Sequence, residues 1–102
     1  MGLVVKIHQR DDRTVVAVCD SDLIDSVFEE GNMQLDLTKD FYKGDLLEDA
    51  QIIGDIIRNA DCVNIVGDRS VKLALNEGVI EEEHVKKIGG VPHAQVVIIH
   101  DA

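Results

Sequence analysis

Near its C-terminal end the chain runs Ile88, Gly89, Gly90, Val91, Pro92, His93, Ala94, Gln95, and this run brings an imidazole and a carboxamide to the start of an apolar segment. Two residues apart on an extended backbone, His93 and Gln95 share one face. The imidazole titrates near neutral pH and can act as general acid or base, while a carboxamide can orient a carbonyl or a water. Paired glycines permit positive φ and close backbone approach, and Pro92 holds Val91 extended. Gly89, Gly90, Pro92, His93 and Gln95 are therefore candidate binding residues. The same residues also suit a plain helix-to-strand connection, with His93 as a structural histidine bonded to its own loop.

A second constellation is Gly67, Asp68 and Arg69, where an apolar strand ends in glycine just before a helix. Free N–H groups at such a terminus can hold a phosphate or carboxylate, and Arg69 adds positive charge. Asp68 stands where an N-cap is expected, so its own carboxylate competes for the same donors. The fuller patterns G-x-x-x-x-G-K-[ST] and G-x-G-x-x-G are absent, as is the G-x-S-x-G of nucleophilic hydrolases. Catalytic residues are left unassigned.

His8, His84, His93 and His100 show no i, i+4 pair, and the chain has no H-E-x-x-H and no C-x-x-C. We expect no metal site and no cofactor. Asp20, Ser21, Asp22 and Asp25 offer oxygens, but helix capping accounts for them. Cys19 and Cys62 each lie in an apolar strand-like segment, which fits buried free thiols in a reducing, cytoplasmic setting.

Ten Lys and Arg against twenty Asp and Glu give a formal net charge of −10, which repels DNA, RNA and anionic lipid unless cations are segregated. The cations open to nucleic acid are Lys6, Arg58, Arg69, Lys72, Lys86 and Lys87, with two Phe, one Tyr and no Trp to stack on bases. DNA and membrane partners are not expected. Lys86 and Lys87 beside the glycine pair leave contact with a structured RNA open. The opening residues lack the apolar core of a signal peptide, Lys6 stands where a myristoylation motif requires Ser or Thr, and no apolar run reaches bilayer length.

The elements that must position these residues follow from periodicity. Residues 3–9 and 14–19 are β-branched runs joined by a short polar turn, a natural antiparallel hairpin. Asp20 or Ser21 caps a first helix that ends at Gly31, with Leu23, Ile24, Val27 and Phe28 at helical spacing. Alternation over 33–38 predicts a half-buried strand, 40–44 a turn, and 48–59 a helix whose Gly54 marks a close contact with the sheet. Residues 62–66 form a strand, helical spacing resumes to Gly78, and 81–87 carries acids first and lysines last, as a short helix does. A final strand covers 94–99. These elements predict one α/β domain over residues 1–102, with α+β as the alternative. The sheet is mixed and of about five strands with three to four helices, ordered ββαβαβ(α)β, with the strand after the second helix as a parallel neighbour.

As whole segments, Val5-Lys6-Ile7-His8, Val16-Ala17-Val18-Cys19-Asp20, Asn64-Ile65-Val66-Gly67-Asp68-Arg69 and the Ile88 to Gln95 run resemble a small archaeal family, domain of unknown function 424. The resemblance spans nearly the whole chain in the same order. It implies an archaeal, cytosolic, stand-alone domain and carries no activity with it.

Two classes of function follow. The first is a binding or adaptor module acting through residues 89–95, with a protein partner or a second copy of itself. The second is an enzyme or a binder of a small anionic ligand that uses His93 and Gln95 with the Gly67 to Arg69 helix terminus. The second requires His93, Gln95 and Arg69 to converge on one concave pocket.

Overall fold

Asp11 and Asp12 both adopt positive φ, 46° and 68°, a two-residue turn whose twist matches that of paired strands. It folds β1 (Leu3–Arg10) back onto β2 (Arg13–Asp20), with Arg10 opposite Arg13 and Leu3 opposite Asp20. The computed structural model describes residues 2–100. The expected hairpin is present.

The chain leaves β2 through a 3₁₀ turn over Ser21–Leu23 and enters a second hairpin, β3 (Val27–Glu30) and β4 (Met33–Asp36). A helix expected from Asp20 to Gly31 is therefore not formed. Leu23, Ile24, Val27 and Phe28 fit helical spacing, but Asp25 at φ 71° breaks the run and Gly31 at φ 61° makes a two-residue loop with Asn32. Gly-Asn between β-compatible runs is a hairpin signal. The hairpin presents Phe28, Leu35 and Leu37 to the sheet, where they pack on Cys19, Val66 and Val91 as a second core.

After a 3₁₀ turn at Asp40–Tyr42 comes β5 (Asp45–Leu47), a strand that periodicity does not reveal because it is three residues long. Helix α1 (Ala50–Arg58) is capped by Asp49, whose carboxylate accepts from the N–H groups of Gln51 at 2.9 Å and Ile52 at 3.3 Å. Its buried face is Ile53, Gly54 and Ile57. Each of the two isoleucines contributes about 1.5–3 kcal/mol by leaving water. The close contact at Gly54 is with the second helix and not with the sheet: a Cβ there would lie 2.6 Å from the Glu77 carboxylate, which pairs with Arg58.

β6 (Cys62–Val66) pairs parallel with β2, as expected, and leads into α2 (Asp68–Asn76). The short helix expected over 81–87 is only a 3₁₀ turn, Glu82–His84, followed by β7 (Lys86–Ile88) and β8 (Val91–Val97). Glu81 and His84 close a capping box on that turn, so the acid-first pattern has a helical meaning for just one turn. The six-stranded sheet has the order β5-β1-β2-β6-β8-β7, and β3-β4 forms a separate two-stranded sheet.

The architecture is α/β with a mixed sheet, but the described residues form eight strands in two sheets and two α-helices, more strands and fewer helices than periodicity implies. Both helices cover one face of the large sheet through Val16, Val18, Val63 and Ile65 packed on Ile57, Val71 and Ala74. The hairpin β3-β4 covers part of the other face. Among the described residues no helix is long and apolar enough to cross a membrane.

Candidate functional site

Gly89 and Gly90, at φ 57° and 81°, are the two-residue turn between β7 and β8, with Ile88 opposite Val91. They join two strands and not a helix to a strand. The turn is held in place: the Gly89 N–H donates to the Glu30 carboxylate at 3.1 Å, and a Cβ at Gly89 would press on the Glu29 carbonyl at 3.3 Å. Pro92 is buried, and its carbonyl accepts the Gly67 N–H at 2.8 Å. Since N and C=O of one residue face the same side of an antiparallel strand, the missing N–H of Pro92 lies beyond the end of β6 and interrupts no bond to β7.

Strand alternation sends Pro92, Ala94 and Val96 toward the helices and His93, Gln95 and Val97 to the other face. On that face Gln95 lies directly opposite Asn64 of β6, Asn64 beside Ala17 of β2, and Ala17 opposite Lys6 of β1. Four strands thus present one row, Lys6, Ala17, Asn64, Gln95. The row above it ends in Cys19, Val66, His93 and Lys86 and is largely roofed by the small hairpin. The row below, His8, Val15, Cys62 and Val97, is uncovered enough to leave Val97 67% exposed.

Gln95 is exposed and Asn64 half-buried, and neither side chain makes a hydrogen bond among the described residues. His93 is half-buried, and its Nε2 is enclosed with no hydrogen-bond partner among the described residues. The loop-bonded histidine that sequence suggests is not what β8 builds. Burial first, and the ammonium of Lys86 across the β7-β8 pair second, hold the His93 pKa below the ordinary 6.5, favouring the neutral ring.

The charge that the strands of the large sheet turn to this face differs from that of the whole chain, although the hairpin covering part of it carries Glu29, Glu30 and Asp36. Of the strand residues in the large sheet that point away from the helices, none is Asp or Glu, while Lys6, Arg10, Arg13 and Lys86 are among them. None of these four has a carboxylate within 4.0 Å among the described residues. Spacing alone does not single out Arg10 and Arg13, because only the register of the first hairpin puts them level with each other. Phe41, 37% exposed, stacks on His8 with ring centroids 4.5 Å apart and planes at 10°, and its carbonyl lies 2.9 Å from His8 Nε2.

The Gly67 to Arg69 terminus is arranged differently from the expectation. Gly67, at φ 106°, is the N-cap position, Asp68 is the first helical residue, and no side chain of either caps the helix. The cap is supplied from β2. Asp20, 5% exposed, accepts the N–H of Arg69 at 3.1 Å and, through its other oxygen, both the N–H and the hydroxyl of Ser70 at 2.8 Å. The donors that an outside anion would use are thus taken by an internal carboxylate. Arg69 extends to the Gly2 carbonyl at 3.2 Å and the Asp22 carboxylate at 2.9 Å, toward β1 and away from β8. Gly67 and Pro92 meet through their backbones, but Arg69 diverges from His93 and Gln95. Five of the better-defined clefts are lined elsewhere, by none of these three residues.

Among the described residues no group of three or more His, Cys, Asp or Glu could hold a metal ion. Cys19 and Cys62 are free, and burial together with Asp20 and Asp22 pushes the Cys19 thiol up to about 12, which leaves it protonated and inert.

This arrangement can be compared with known proteins. The family described as a protein of unknown function, DUF424, matches residues 8–99. The chain belongs to DUF424. The fold is shared with a crystal structure of an uncharacterized conserved protein from Methanopyrus kandleri, at a TM-score of 0.84 and 24% identity, covering 100% of this chain and 96% of that one. No curated protein matches. Family and fold therefore bring no activity to the site, and what can be said of DUF424 chemistry here comes from the residues themselves.

Proposed function

We propose that this small DUF424 protein is a binding module whose recognition surface is the open face of the six-stranded sheet, with Gln95 and Asn64 at its centre and His93 at its roofed edge. The observation that carries the reading is the row Lys6, Ala17, Asn64, Gln95: Ala17 is covered, but Gln95 is exposed and Lys6 and Asn64 half-buried, the two carboxamides have no hydrogen-bond partner among the described residues, and the strands of the six-stranded sheet turn no carboxylate to this face. Side-by-side amides that spend no bonds on the described residues are ready to read a partner. The Gly89-Gly90 turn and Pro92 serve this surface by fixing the register of β8, which decides that His93 and Gln95 point away from the helices. A partner protein or a nucleic acid docked here gains shape from the sheet and specificity from the amides.

An enzyme acting through His93, Gln95 and Arg69 has less support, since Arg69 points away and Asp20 fills the helix terminus. The test is a photo-crosslinking side chain placed at Gln95, with a control at Lys72 on the helical face, each irradiated in a native archaeal lysate. Discrete adducts at position 95 that are absent at 72 support the surface. Equal adducts at both positions, or adducts at 72 alone, overturn it.

A further inference from the structure

The same face carries an inference about the class of partner, and it rests on the reading above. We infer that the open sheet face binds single-stranded RNA, with its phosphates on Lys6, Arg10, Arg13 and Lys86 and its bases against the Phe41–His8 ring pair and the Asn64–Gln95 amides.

Four observations point this way. The chain has a net charge of −10, yet the strands of the six-stranded sheet turn four of its ten cations and no carboxylate to this face, while the hairpin over its upper row carries Glu29, Glu30 and Asp36. Local segregation of that kind favours a polyanion over the rows that the hairpin leaves uncovered. Arg10 and Arg13 are directly opposed on neighbouring strands, without a carboxylate in salt-bridge range among the described residues. Like charges so placed destabilise a hairpin, and a bound anion relieves the cost.

The cations are also separated in a useful way. Lys6, Arg10 and Arg13 lie on β1 and β2, Lys86 on the β7 edge, and the strands between carry neutral hydrogen-bonding groups. From β1 to β7 the sheet measures roughly 19 Å, and the rows that the hairpin leaves uncovered, with Gln95 and Val97 exposed, are a path for a short strand of nucleotides that reaches the exposed Lys86 at the edge. Phosphates held at the sides leave bases over the middle, where each carboxamide offers both donors and an acceptor to a base edge. At the β1 side the exposed Phe41 ring, backed by the parallel His8 ring, is a platform on which a base can stack. An acidic peptide matches the cations but has no use for that platform. A duplex hides its base faces, so it too leaves the rings idle.

The experiment is fluorescence anisotropy with labelled mixed-sequence single-stranded RNA of about eight nucleotides, the duplex of the same sequence, and a polyglutamate peptide. The single strand is expected to bind more tightly than either of the others. For four phosphate contacts its affinity falls about fifty-fold between about 50 and 200 mM salt. The triple variant Lys6→Glu, Arg10→Glu, Arg13→Glu is expected to weaken binding by about thirty-fold or more. Lys87→Glu, beside Lys86 but on the other face, and Lys72→Glu leave it within about twofold. Phe41→Ala costs about tenfold. Unaltered thermal melts of each variant show that the fold is kept, and Lys6→Gln with Arg10→Gln replaces the triple variant should that one not fold.

Tighter binding of polyglutamate, lost in the triple variant, overturns RNA as the partner while leaving the surface in place. Tighter binding of the duplex, or full binding by Phe41→Ala, also overturns it. Binding that survives charge reversal, together with no selective adducts at position 95, overturns both readings.

Discussion

The carboxylate of Asp20, at the end of β2, lies 2.8 Å from both the N–H and the hydroxyl of Ser70, fifty residues further along the chain. One oxygen serves Ser70 and the other serves the Arg69 N–H, so a buried acid on the sheet closes the N-terminus of α2. A helix end this enclosed must find acceptors for its first N–H groups. Asp20 supplies them and fastens helix to sheet.

Removing that carboxylate strands two backbone donors and a buried hydroxyl. Asp20→Ala is expected to lower stability by about 2–4 kcal/mol, the sum of a lost cap and of charge-assisted bonds left unmade. Asp20→Asn, which keeps one acceptor oxygen, is expected to lose less. Urea unfolding of the three proteins measures the order, and equal stability of Asp20→Ala and the parent contradicts it.

Gly67 stands against the same acid. Its φ of 106° is a glycine conformation, and a Cβ added there would overlap the Asp20 carboxyl group. Gly67→Ala therefore costs both backbone strain and displacement of the cap. In the double variant with Asp20→Ala the steric part vanishes, so the two losses are expected to sum to more than the measured total by about 1 kcal/mol or more. Strict additivity in the cycle contradicts the contact.

His93 predicts a dependence on pH. Its native pKa is held below 6.5 by burial and then by Lys86, so the unfolded chain takes up the proton first. The contribution of the neutral ring is complete above pH 6.5 and declines as pH falls from there through the native value. His93→Gln, which cannot titrate, is expected to lose less stability than the parent between about pH 7.5 and pH 5. Parallel losses in urea unfolding at the two pH values contradict the assignment.

Much of this architecture can be read in the residues. Alternation and turn chemistry give β1, β2, β6 and β8, and apolar spacing gives α1 and α2, because each buries one face against the same core. The segment from Ser21 to Glu30 is misleading, since Leu23, Ile24, Val27 and Phe28 suit a helix as well as a hairpin. The decision falls to Asp25 and Gly31 at positive φ and to a second core on the far side of the sheet. Asp20 presents the same difficulty at the site. Local rules make it the cap of the helix that follows it, and only the parallel pairing of β2 with β6 carries it to a helix fifty residues away. His93 and Gln95 sharing a face is legible from a period of two; their company, Asn64, Arg10 and Arg13, is set by register between distant strands and has no local signature.

The most direct measurement is a two-dimensional amide NMR titration of the nitrogen-labelled protein with the single-stranded RNA. The sheet-face account predicts that the shifted signals cluster on Lys6, Arg10, Arg13, Asn64, Gln95 and Lys86, with α1 and α2 unmoved. Shifts centred instead on Gly67, Asp68 and Arg69, or on the outer surfaces of the helices, contradict it.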